Sequence, residues 1–244
     1  MSEPYYAAAY WGVRPESAEE SAHRAATFFQ RLSACHPDYA RWFEKSRSRQ
    51  QPPRSPFTPT VDTFRRFFGQ KQYQAVREGF SFGAWTGHPD NQGGMVLLGC
   101  GSSVEGTTNI AQLYFPSEPP GSEQLVTLPV LTEVMQALIQ AWEPEWAVAT
   151  PGDFRDRLSS TGLPGCFVGW LTYYARSWGE LPALPEPVRV EPVRGRGTLM
   201  ILSPERLLET DPEHVALGQG VQRLLEARGL LRRVVDTRSS TPHS

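Results

Sequence analysis

Apolar positions along this chain change their period several times, and each change marks an element. Residues 5–11, YYAAAYW, form an unbroken apolar and aromatic run, which predicts a strand. Pro15 breaks the run. Ser17-Ala18-Glu19-Glu20 then has capping-box spacing: the Ser17 hydroxyl can accept a backbone N–H while Glu20 reaches back. Ala18, Ala22, Ala25, Phe29 and Leu32 follow on one helical stripe. Pro37-Asp38 predicts a short helix carrying Tyr39, Trp42 and Phe43. Residues 45–60, KSRSRQQPPRSPFTPT, are polar, basic and proline-rich, the composition of a loop. A helix over about 61–69 is expected from Val61, Phe64, Phe67 and Phe68.

Three further runs, FSFGAW (80–85), GMVLLGC (94–100) and NIAQLYF (109–115), are separated by Gly/Asn/Asp-rich turns and predict an antiparallel meander. The second half follows a similar plan. Strand-like LVTL leads to a helix near 129–142 with Leu131, Val134, Leu138 and Ala141 on one face. Strands are expected in WAVA (146–149), CFVGWLTYYA (166–175), VRVEPV (188–193) and GTLMILS (197–203), the last two as a hairpin. Asp211 as N-cap and Pro212 at the first helical position open a final helix. Its predicted apolar face is Leu217, Val221, Leu224 and Leu225, and Gly229 can end it. The expected fold class is α+β: an antiparallel sheet or sheets, with mixed pairing left open, packed by helices, in a strand–helix–meander order that occurs twice. One domain over 1–235, divisible into halves 1–122 and 123–235, precedes a polar tail at 236–244.

Composition narrows the function classes. A chain of 244 residues with 39% hydrophobic content can bury a full core. Three scattered cysteines, Cys35, Cys100 and Cys166, make neither a disulfide framework nor a zinc motif and fit a reducing compartment. The start lacks the basic and apolar regions of a signal peptide, and no 18-residue apolar stretch spans a membrane. The cytosol is the expected location.

Candidate chemistry is sparse. Ser17 is explained as a cap. Gly99-Cys100-Gly101-Ser102-Ser103 surrounds two nucleophile types with glycine, but it is not GxSxG and a strand rather than a helix follows. A strand end turning into a loop accounts for it. A hydrolase using Cys100 or Ser102 with His88 stays a competing reading. The five histidines include no helix-borne metal pair, and no phosphate or dinucleotide fingerprint occurs, so neither metal nor cofactor is expected. The aromatics Trp170, Tyr173, Tyr174 and Trp178 fit strand packing.

Charge order is more informative. From Glu78 through Phe154 there is no Lys or Arg but there are nine acids, a formal −9 in a chain whose net charge is −2. Residues 41–77 are biased the other way, with nine bases against Glu44 and Asp62. Two poles of opposite field would steer charged partners. A nucleic-acid-binding module using the basic 41–77 segment, with Tyr39, Trp42, Phe43 and Phe64, is the second reading.

From about Tyr5 to Leu231 the chain resembles the immunity protein 52 family of bacterial polymorphic-toxin systems. The landmarks are YYAAAYWGVRPESAEESAHR, PDYARWFEKSRSR, FSFGAW, VGWLTYYA and LPALPEPVRVEPVRGRGTLMILSPERLLETDPEHVAL. The resemblance implies a non-enzymatic inhibitor encoded beside a toxin with a restriction-endonuclease-like nuclease domain, often delivered by type VI secretion. It implies binding to the toxin protein and no direct binding of nucleic acid or membrane, and it supplies no catalytic residues. A nuclease surface is basic where DNA lies. The acidic region would compete there, with contacts expected at Asp90, Glu105, Glu118, Glu123, Trp142, Glu143, Glu145 and Asp153, and with Trp142 or Trp146 as an exposed anchor.

Overall fold

Strand β1 (Tyr5–Trp11) is bordered on both edges, antiparallel to β6 (Asn109–Tyr114) on one side and to β7 (Trp146–Pro151) on the other. It joins the two halves of one ten-stranded sheet. The other strands are β2 (Trp42–Glu44), β3 (Pro56–Phe57), β4 (Phe80–Trp85), β5 (Met95–Cys100), β8 (Leu171–Ala175), β9 (Arg189–Val193) and β10 (Gly197–Ile201). Their order is β3-β2-β4-β5-β6-β1-β7-β8-β10-β9, antiparallel throughout. The structure, a computed structural model, describes residues 5–45, 56–74, 79–88 and 92–236. Arg47, Arg49, Arg54, Arg77, Glu78, Asp90 and the tail from 237 lie outside the described residues.

One face of the sheet carries α1 (Ala18–Cys35), α2 (Val61–Phe68) and α4 (Leu128–Trp142). Trp11 stacks on Trp142 with ring centres 5.2 Å apart, and Phe28 meets Trp142 edge-on at 6.4 Å. Phe64 and Phe67 meet Phe82 of β4 at 5.5 and 5.0 Å. The predicted capping box opens α1: the Glu20 N–H donates to Ser17 Oγ at 3.2 Å, and the Ser17 N–H donates to Glu20 Oε2 at 2.8 Å. On the opposite face Trp146 meets Phe167 at 5.0 Å, and Arg155 of α5 (Gly152–Leu158) lies over Tyr6. Helix α6 (Pro212–Glu226) packs on α5.

Three expectations change. Residues 37–43 are not one helix: a 3₁₀ turn at Pro37–Tyr39 leads directly into β2, so Trp42 and Phe43 lie on opposite faces of a strand. LVTL is no strand, because Leu125 ends α3 (Gly121–Leu125) and Leu128 starts α4. The strand–helix–meander repeat therefore lacks its leading strand in the second half. On α6, Leu224 is 40% exposed, while Val221 and Leu225 are buried. The buried stripe runs through Gly218, where an added Cβ would come within 2.8 Å of Phe154 and 3.0 Å of Leu158. Absence of a side chain lets α6 settle on α5 along that line, which turns Leu224 outward.

Val221→Asp should therefore cost on the order of 3–5 kcal/mol, because it buries an uncompensated charge. Leu224→Asp should cost about 1 kcal/mol or less. Denaturant midpoints of the two variants check this, and equal destabilisation would place Leu224 in the core after all.

Candidate partner-binding surface

The residues expected to contact a partner are split between the two ends of the sheet. Glu105 is in the exposed turn between β5 and β6, at the end where β1 finishes and β7 starts; Glu143 and Glu145 share that end. Glu118 and Glu123 lie after β6 and on α3, and Asp153 opens α5, all at the opposite end. Asp90 is outside the described residues. Trp142 and Trp146 are both fully buried, so neither is an exposed anchor: the first stacks on Trp11 and the second packs against Tyr10 and Phe167.

Glu143 belongs to a chain of alternating charges that closes the C-terminus of α4. It occupies the left-handed C-cap position at φ 46°, a conformation that favours glycine. Arg24 and Arg196 bind its carboxylate at 3.2 and 2.6 Å. Those hydrogen bonds, Arg196 first, hold its pKa below the ordinary value. Arg24 also donates to the Ala141 carbonyl at 3.0 Å, and Arg14 donates to the Trp142 carbonyl at 2.7 Å. Glu16, whose side chain is only 5% exposed, accepts from Arg24 at 2.7 Å and forms an ion pair with Arg14 at 2.9 Å. Helix α4 has no base in its own last turn. Arginines from the 12–17 turn and α1 supply the positive charge that its terminal carbonyls favour. Glu145 Oε1 accepts from the Gly12 N–H at 3.1 Å. These acids hold elements together.

The competing chemistries also come apart. Cys100 is buried, and burial pushes its thiol pKa up to about 12. His88 follows β4 beside the start of β5, whereas Cys100 ends β5, about 17 Å away along a six-residue strand. Ser102 Oγ accepts from the Val104 N–H at 3.3 Å, and the Ser102 N–H donates to Asn109 Oδ1 at 3.1 Å, the bonding of a loop start. Tyr39, Trp42 and Phe64 are fully buried, which removes the stacking platform of the nucleic-acid reading. Among the described residues no cluster of His, Cys, Asp and Glu could hold a metal, and no helix is long and apolar enough to cross a membrane.

The feature that stands out is one the strand predictions did not single out. Along β4, β5 and β6 the positions Phe82, Ala84, Val96, Leu98, Cys100, Ala111 and Leu113 are buried beneath the helices. The alternate positions Gly83, Trp85, Met95, Leu97, Gly99, Ile110, Gln112 and Tyr114 are only half-buried. Register places Met95 beside Trp85 and Tyr114, Leu97 beside Gly83 and Gln112, and Ile110 beside Gly99 and Tyr10. Phe43 extends the row beyond Trp85. Among the described residues these positions stay partly exposed, whereas Trp146, Val148 and Thr150 on the same face of β7 are fully buried. A solvated sheet face is ordinarily polar. This one is apolar and aromatic on both sides of its strands, and that doubling was the available signal in the sequence.

Comparison with known proteins gives two findings. A family model described as Immunity protein 52 matches residues 3–234. Among solved structures, the Pseudomonas aeruginosa T6SS protein PA0821 is similar in fold, with a TM-score of 0.56 and 12% identity over 91% of this chain and 72% of that one. No curated protein matches the sequence.

Glu143→Gln should lower stability at neutral pH by about 0.2–1 kcal/mol, since the pair is partly solvated. The carboxylate pKa is depressed in the folded state, so its contribution is complete above the ordinary value of 4.5 and is lost as pH falls through the lowered one. Thermal melts of variant and wild type should converge in acid. A gap that persists well below the depressed pKa would assign the loss to a cause other than the carboxylate charge.

Proposed function

The chain belongs to the immunity protein 52 family, and on that premise we propose that it neutralises a nuclease toxin with a restriction-endonuclease-like domain by binding it. The family is one of inhibitors, so the chain is not an enzyme and its partner is a toxin protein. The finer reading places it in the cytosol, protecting the producing cell and its siblings from a toxin delivered by type VI secretion. The observation that supports inhibition by a stable complex is the uncovered apolar face of β4, β5 and β6. Tight complexes need a desolvated centre of aromatic and aliphatic groups, which this face offers. A mechanism in which one acidic pole displaces DNA draws less support. Glu143 is bound by two arginines, and the remaining acids stand at opposite ends of the sheet.

Co-expression with the toxin encoded beside it should restore growth, and the two proteins should elute together in equimolar amounts. The double variant Cys100→Ala, Ser102→Ala should protect as well as wild type. Loss of protection by that variant, with an unchanged melting temperature and intact toxin binding, would revive a catalytic role.

A further inference from the structure

We infer that the partly exposed face spanning β4, β5 and β6 is the surface that takes the toxin, and that its complement is an apolar protein patch bordered by carboxylates along the β2 side. The inference rests on the immunity reading and deepens it, because family membership does not say which surface binds.

The first argument is what lies above the face. A Cβ built at Gly99 would meet only Ile110 of the neighbouring strand, at 3.3 Å. The atoms nearest to one built at Gly83 belong to Lys45, just past β2, and Leu97 of β5, at 3.3–3.4 Å. Among the described residues, nothing but Ile110 comes within 4 Å above Gly99 on this face. The second argument is composition. Trp85, Met95, Leu97, Ile110, Tyr114 and Tyr10 are half-buried and uncharged, and aromatic residues and Met are the types enriched at interface centres.

Size agrees. Strand spacing of about 4.8 Å over β2 to β6 gives a width of about 14 Å, and six-residue strands give a length of about 17 Å. The resulting footprint is about 240 Å². It can form the centre of a standard interface of about 800 Å² per partner, with the surrounding rim contributing the rest.

The sheet edges argue for docking on the face rather than strand addition. Edge strand β9 carries Pro192, which cannot donate to a new ladder, and edge strand β3 has two residues. Charge gives the chemistry of the complement. Arg41 lies 4.9 Å from the Phe43 ring centre, and the Lys45 stem lies over Gly83. Neither makes an ion pair among the described residues. At the far flank Arg155 is bound to Asp156 at 2.7 Å. Unbalanced positive charge thus stands along the β2 side, where partner carboxylates would meet it. A surface of that kind is not the phosphate-binding surface of a nuclease, which is basic.

The test uses the full chain and the toxin encoded beside it, the latter disabled at its catalytic site, in surface-binding kinetics at two salt concentrations. Wild-type binding tests the immunity reading by itself, and its absence would overturn that reading and the surface together. Given wild-type binding, Leu97→Glu and Ile110→Glu, each with an unchanged melting temperature, should weaken affinity by about 30-fold or more. The pair Arg41→Glu, Lys45→Glu should slow association by about tenfold at low salt and by less at high salt. Wild-type affinity in Leu97→Glu and Ile110→Glu would overturn the surface while leaving the immunity reading intact. So would loss of binding in Glu118→Lys, Glu123→Lys instead. A dimer of the free chain that Leu97→Glu converts to monomer, with toxin binding unchanged, would make a second copy the occupant and overturn the toxin assignment of this face.

Discussion

The structure depends on β1 being paired along both edges. Tyr6–Trp11 pair with β6, and Tyr5–Tyr10 pair with β7, so seven residues near the start of the chain join strands that are distant in sequence, from Asn109 onward. Interior placement demands apolar side chains on both faces. Ala7, Ala8 and Ala9 are small and fully buried, so α4 can approach on one side. Trp11 then fills the space beneath the end of α4 by stacking on Trp142. Closing the α4 terminus requires Arg14 and Arg24, both of which follow shortly after β1 in sequence. The strand, the turn after it and the start of α1 therefore act together as the clamp between the two halves of the sheet.

Much of this was legible in local patterns. The capping box at Ser17–Glu20, the three meander strands, and the opening of α6 at Asp211-Pro212 all depend on neighbours within a few residues. Failures occurred where a distant contact decides. Nothing local in PDYARWF says that Trp42 lies beneath Phe29, where it packs edge-on at 4.9 Å in a strand rather than a helix. On α6, the choice between a stripe through Leu224 and one through Gly218 is made by Phe154, more than 60 residues away. Strand order shows the same limit. β1 neighbours the last strand of its meander, whereas β7 neighbours β8, and no periodicity encodes that difference.

Reading charge from sequence order alone has a related limit. A stretch without bases is acidic only if bases from elsewhere stay away. Arg24 and Arg196 come from distant positions to bind Glu143, and Arg14 and Arg24 share Glu16. The missing bases of 78–154 have another consequence. They leave the outward positions of β4, β5 and β6 without a charged side chain, and apolar residues occupy most of them. In an inhibitor that acts by being bound, such a face is the natural centre of contact, with specificity set by charges at its border.

Methionine oxidation gives the most direct measurement. Of the four methionines, Met135 and Met200 are fully buried, Met1 lies outside the described residues, and Met95 is half-buried on that face, at the end of β5 between Trp85 and Tyr114. Peroxide converts an accessible thioether to the sulfoxide, which mass spectrometry locates by peptide. In the free protein Met95 should oxidise readily, while Met135 and Met200 resist. With the toxin bound, Met95 should become as resistant as the other two. Oxidation of Met95 at the same rate in a saturated complex would contradict docking on this face.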